Sequence, residues 1–175
     1  LMGAKYLEEY SNVSEDEARN YFEKNKNDYK QIRASHILIS NYDSNNKEVS
    51  DKKKAENKKT AEEVLKLALD GEDFATLAKE YSDDSSASKG GDLGYFTQDE
   101  MVSAFSKAAF SLKTGEIYNK VVETSSGYHI IKKTGEKDQD FDDVKDDLIK
   151  TLESTKQSTL MQDLYTKYDV QIKNQ

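Results

Sequence analysis

Hydrophobic positions along this chain fall into two periods, and the switches between them mark out the elements. Ser14 opens a capping box with Glu17 three residues on. Ala18, Tyr21 and Phe22 then share one face at helical spacing, with Tyr29 beyond that helix. The stretch before it, Ala4 to Tyr10, reads as another short helical piece. From Gln31 to Ser40 the period shortens to two. Ala34, His36 and Leu38 share one face of a predicted strand, and Ser35, Ile37 and Ile39 the other. Both faces are largely apolar, so this strand is expected to be central in its sheet. Asn41 to Ser50 is a polar loop.

Helical spacing returns from Asp51 to Asp70. Ala61, Val64, Leu65, Ala68 and Leu69 form the apolar stripe, and Gly71 is a natural C-cap. A second helix starts near Asp73, with Phe74, Leu77, Ala78 and Tyr81 at i, i+3, i+4 and i+7. A Ser/Asp-rich loop follows, then Gly90-Gly91 and Gly94. Thr97 and Glu100 form another capping box, which predicts a short helix carrying Met101 and Phe105 on one face. Phe110 and Leu112 close that helix onto the core. Thr114-Gly115-Glu116 is a turn, Val121 to Glu123 a short strand, and Ser125-Ser126-Gly127 a tight connection. Tyr128 to Lys133 is the returning strand, with His129 and Ile131 on one face and Tyr128 and Ile130 on the other. Phe141 to Tyr168 is a long amphipathic helix whose stripe is interrupted by the polar run Ser154 to Thr159. Val170 to Ile172 is expected as a short terminal strand.

This order describes an α+β domain, a small antiparallel sheet with surrounding helices, over residues 31–135. The flanks, 1–30 and 136–175, are helical and cannot bury their apolar faces alone. They are expected to pack on each other, with the middle domain as an insertion.

Composition acts mainly by exclusion. A net charge of -8 over 175 residues argues against nucleic acid, whose phosphates require a basic surface. No apolar run approaches membrane-spanning length, and no signal peptide is visible. The first residues read as the middle of a helix, so the chain is expected to be a piece of a longer one. The absence of Cys removes disulfides, thiolate chemistry and Cys-based metal sites, and two His exclude a multi-His site. No metal or cofactor is expected. With no Pro, every turn must be made by Gly, Asn, Asp or Ser.

The stretch from Tyr81 to Phe110 combines an acidic loop, a flexible turn and an apolar patch, an order that fits a binding surface. Its glycines lack a preceding strand and a following long helix, which argues against a phosphate loop. His36 and His129 sit in predicted strands among apolar neighbours. On the residues alone they are either hydrogen-bonded core groups or chemical groups sharing one interior site.

Certain segments together resemble the parvulin family of peptidyl-prolyl isomerases. They are Ala34-Ser35-His36-Ile37-Leu38, Asp73-Phe74-Ala75, Gly90-Gly91-Asp92-Leu93-Gly94-Tyr95-Phe96, Ala108-Ala109-Phe110 and Gly127-Tyr128-His129-Ile130-Ile131. They stand in the family's order and spacing over about 100 residues. The Lys-rich helical flanks resemble those of PrsA-type foldases, extracellular lipoproteins of Gram-positive bacteria. The resemblance implies a parvulin/FKBP-like fold and isomerisation of X-Pro bonds. It implies a foldase for exported proteins at the outer face of the cell membrane, held there by a lipid anchor upstream of Leu1. Its partners are then unfolded or partly folded exported proteins; a homodimer through the flanks is a further expectation. The alternative reading is a client-holding chaperone whose parvulin domain has weak or no activity. Carried over by residue, Met101 and Phe105 match the proline-ring pocket, and Leu93 and Phe96 its wall. His36 and His129 match the paired histidines at the floor, Asp84 a position that is Cys or Asp in the family, and Ser126 a hydroxyl beside the second His. The chain departs from the family in having Ser103 and Asn119-Lys120 where Pro is frequent. Phosphate-directed parvulins carry a basic cluster after the first strand. Here Asn41 to Ser50 contains one Lys and no Arg, so no phosphoserine requirement is expected.

Overall fold

The computed structural model describes residues 9–173, with side chains to 169. The helical piece expected at Ala4 to Tyr10 lies almost wholly outside the described residues. In chain order the elements are α1 (Glu15–Lys24), β1 (Lys30–Ser40), α2 (Asp51–Leu69), α3 (Phe74–Tyr81), β2 (Asp92–Phe96), α4 (Ser103–Phe110), β3 (Val122–Thr124), β4 (Gly127–Asp138) and α5 (Phe141–Lys173). The chain divides into two compact units. One is Lys30–Asp138; the other joins the chain up to Tyr29 with the chain from Gln139 on.

In the Lys30–Asp138 unit an antiparallel sheet runs in the order β2-β1-β4-β3. The unit is α+β, as expected, and β1 is central. On one face Ile37, Ile39, Tyr128 and Ile130 pack against Val64 and Leu65 of α2 and Leu77 of α3. On the other, Ile32, Ala34 and Ile131 pack against Phe105, Ala108 and Ala109 of α4. Burial on both sides is what the two apolar faces of β1 require.

β2 is a strand that periodicity does not reveal. Gly94 interrupts its alternation, and the strand pairs on one side only, with β1. The helix expected from Thr97 is also different. Thr97 makes no side-chain capping bond, and only a single 3₁₀ turn forms at Gln98–Glu100. Met101 and Val102 are extended, and α4 starts at Ser103. The Ser106 hydroxyl donates to Gln98 O at 2.7 Å and ties α4 back to that turn. Extended backbone suits β-branched Val102.

In the other unit, Ser14 Oγ accepts the Glu17 N–H at 3.2 Å and starts α1. Val13, Ala18 and Phe22 pack on Phe141 and Leu148 of α5. Phe22 and Phe141 meet edge to face, with centroids 5.7 Å apart. α5 continues through Val170 to Ile172, where a strand was expected. Three residues without a ladder partner leave their backbone groups unpaired, and continuing the helix satisfies them.

Candidate functional site

The register of β1 and β4 creates the centre of the site. Leu38 lies opposite His129 and Ile131 opposite His36, so the two histidines are diagonal neighbours on the α4 face. Both are buried. Their rings stack at 5.2 Å with an 18° interplanar angle, and their Nδ1 atoms are 3.0 Å apart. Phe105 of α4 stands edge-on to both rings, at 5.5 Å from each.

The outer ring nitrogens meet two different groups. Asp84 Oδ2 is 3.1 Å from His36 Nε2, but outside hydrogen-bond alignment, so the carboxylate acts on that ring through its charge. The same oxygen accepts the N–H and O–H of Ser86, capping the 3₁₀ turn Ser85–Lys89. Thr124 Oγ1 is 2.7 Å from His129 Nε2, and accepts the Ser126 N–H at 3.2 Å.

Counting protons couples the tautomers of the two rings. One proton can lie between two Nδ1 atoms 3.0 Å apart. With both rings neutral, the Asp84 charge favours Nε2–H on His36 and makes its Nδ1 the acceptor. His129 then donates its Nδ1–H to His36 and accepts the Thr124 hydroxyl at Nε2. Burial, and to a lesser degree His36 nearby, push the His129 pKa down from 6.5 to about 4, against the opposing pull of Asp84. Burial acts to raise the Asp84 pKa, but the Ser86 hydroxyl, His36 and the Ser86 amide together outweigh it and bring the pKa to about 2. At neutral pH the site therefore holds a charged carboxylate beside uncharged His129.

An apolar cup lies beside this polar row. Leu93 of β2 and Met101 are half-buried against the cluster that contains Phe105. Phe105 is 3% exposed and closes the cup against the histidines. Phe96, expected in the wall, is only 1% exposed and lies beneath the cup, packed on Phe105 and Phe110. Ser126, expected beside His129, is solvent-exposed, and the hydroxyl on that ring belongs to Thr124. Residue spacing hides Thr124, because the predicted strand stops one residue short of it. The hairpin pairs Thr124 with Gly127 and Val122 with His129, which puts Thr124 on the His129 face. A groove of 460 Å³ also opens beside Met101, along Gln98, Asp99, Ser103 and Lys107, away from the histidines.

Half-buried apolar side chains beside a buried polar row fit non-covalent chemistry on an apolar group. A profile of PPIC-type peptidyl-prolyl isomerase domains matches residues 20–137, more than half of the chain. The chain belongs to the PPIC-type peptidyl-prolyl isomerase family. It is 46% identical over 149 residues to foldase protein PrsA of Bacillus subtilis, covering 85% of this chain and 44% of that protein. It is 39% identical over 169 residues to PrsA of Caldanaerobacter subterraneus, covering 94% and 50%. Among solved structures, peptidylprolyl isomerase PrsA of Bacillus anthracis has a TM-score of 0.56 at 34% identity, covering 90% of this chain and 65% of that one. The peptidyl-prolyl isomerase of Candida albicans has a TM-score of 0.53 at 31% identity, covering 69% and 74%. The chain spans about half the length of the curated PrsA relatives it matches.

Proposed function

We propose that this chain catalyses cis–trans isomerisation of X-Pro bonds. The protein it belongs to then acts as a foldase for unfolded and partly folded exported proteins at the outer face of the cell membrane, held by a lipid anchor. The observation that carries the reading is the buried, stacked histidine pair against Phe105, beside half-buried Leu93 and Met101.

Amide resonance sets a barrier of roughly 18–20 kcal/mol to rotation about the bond. Resonance also places negative charge on the carbonyl oxygen and double-bond character in C–N. Removing water from that oxygen weakens the charge-separated form, and the twisted amide needs it least. Leu93, Met101 and Phe105 hold the proline ring and exclude water. His36 Nδ1, both nitrogens of His129 and the Thr124 hydroxyl satisfy one another, and His36 Nε2 faces the Asp84 carboxylate without a hydrogen bond, so the floor offers the substrate little polar competition. The Asp84 charge further disfavours a negative carbonyl oxygen nearby. No group needs to change protonation state during rotation.

The test is the exchange rate of a plain Ala-Pro peptide with the whole chain. Acceleration is expected, and Met101→Ala and Phe105→Ala are expected to remove most of it. A rate at background with the unmutated chain overturns the reading.

One observation favours the alternative, a client-holding chaperone. The last turns of α5 expose Met161, Leu164, Tyr165 and Tyr168, with Tyr165 67% and Leu164 44% accessible. These line an apolar surface hollow of 360 Å³. A solved SurA-like chaperone of Campylobacter jejuni has a TM-score of 0.50 to this chain at 27% identity. Suppression of aggregation by a chain carrying Phe105→Ala supports holding without turnover. Pairing of two copies through the same face is the third reading, separated from the others by sedimentation.

A further inference from the structure

We infer that Ser82 and Asp83 are positioning residues, which act as a substitute strand along β1 and so place Asp84 against His36; the inference rests on the isomerase reading of that site. β2 leaves β1 near Ser35 and Asp92, and the last backbone bond from this edge to the β2 segment runs from the His36 N–H to Gly91 O at 2.9 Å. Further along the same edge, the N–H groups of Leu38 and Ser40 face no strand. Two loop side chains take them instead. Ser82 Oγ accepts the Leu38 N–H at 3.1 Å, and Asp83 Oδ2 accepts the Ser40 N–H at 2.9 Å. In return the Asp83 N–H donates to Leu38 O at 2.7 Å.

Ser82 Oγ also accepts the Asp84 N–H, at 3.3 Å. One atom thus ties the backbone of Asp84 to Leu38, two residues from His36 on the same strand. The carboxylate then has little freedom, because Ser86 holds Oδ2 from the other side. Asp84 is 29% exposed at its side chain, so nothing overhead presses it onto His36. The loop tether is what keeps the carboxylate at 3.1 Å from Nε2.

A merely structural edge bond and a positioning bond differ in one respect. The first costs the same whether or not the Asp84 carboxylate is present; the second loses its effect once that charge is removed. The experiment is a double-mutant cycle in the whole chain, with Ser82→Ala or Asp83→Ala crossed against Asp84→Asn. Its readouts are kcat/KM on a plain Ala-Pro peptide and the ring ¹⁵N shifts of His36 and His129. Each single loop change is expected to lower kcat/KM about tenfold with Asp84 present, and less than about twofold in the Asp84→Asn background. Ser82→Thr, which keeps the hydroxyl, is expected to stay near the unmutated rate. Equal losses in both backgrounds, or no loss in either, overturn the inference. If the unmutated chain has no activity, the isomerase reading fails separately. The loop role is then read from the rings: His36 shifts should move on Ser82→Ala with Asp84 present and not with Asp84→Asn, and unmoved shifts in both overturn it.

Discussion

His129 is buried with its Nδ1 3.0 Å from that of His36, and this burial sets how the site responds to pH. The folded-state pKa of His129, about 4, lies below its ordinary 6.5. Between these values the unfolded chain binds more protons than the folded one. Stability is therefore full above pH 6.5 and is lost as the pH falls towards 4, by roughly 3 kcal/mol at most. Urea unfolding at pH 7 and pH 5 should show this fall in the unmutated chain and a smaller one in His129→Asn; equal slopes would contradict it. Thr124 supplies the next test. Thr124→Val leaves His129 Nε2 buried and unpaired, with an expected cost of about 1–3 kcal/mol in unfolding free energy, while Thr124→Ser should restore most of it. The strand positions of both histidines are readable from alternation alone. The Thr124 contact is not, because it depends on hairpin register, and Ser126 stands closer to His129 in sequence while its side chain faces solvent.

At the scale of elements, the β1–β2 junction is the least forgiving point. A Cβ on Gly91 would stand 2.3 Å from His36 O, and Gly91 holds φ +85°. Gly91→Ala is expected to destabilise the chain by about 2–4 kcal/mol and to broaden the histidine ring signals, as read by denaturation and NMR. The loop between β1 and α2 makes a different prediction. Its Glu48 pairs with Lys54 Nζ at 2.6 Å, so that nearby cation is already engaged. Matched peptides with serine or phosphoserine before proline should be turned over at similar rates; a strong preference for the phosphopeptide would contradict this. Helices with a full apolar stripe, α2 and α3, follow directly from spacing. β2 and the extended Met101–Val102 segment do not. Gly94 masks the first, and the second follows from a Thr97 that makes no cap, which a capping-box pattern cannot reveal.

At the scale of the whole molecule, the α+β class was legible because β1 is apolar on both faces and helices of one-sided polarity surround it in sequence. The extent of α5 was less so, since a Val-Gln-Ile run alternates like a strand whether or not a partner strand exists. The proposed division of labour is a turnover site in the Lys30–Asp138 unit and an exposed apolar face on α5 in the other. Turnover on a folding protein is its central claim. The most direct measurement is the slow, proline-limited phase in the refolding of an unrelated denatured protein, which takes tens of seconds or more uncatalysed. Its rate is predicted to rise in proportion to the concentration of the whole chain and to return to the uncatalysed value with Phe105→Ala. A slow phase whose rate is unchanged by the unmutated chain at every concentration would contradict the account.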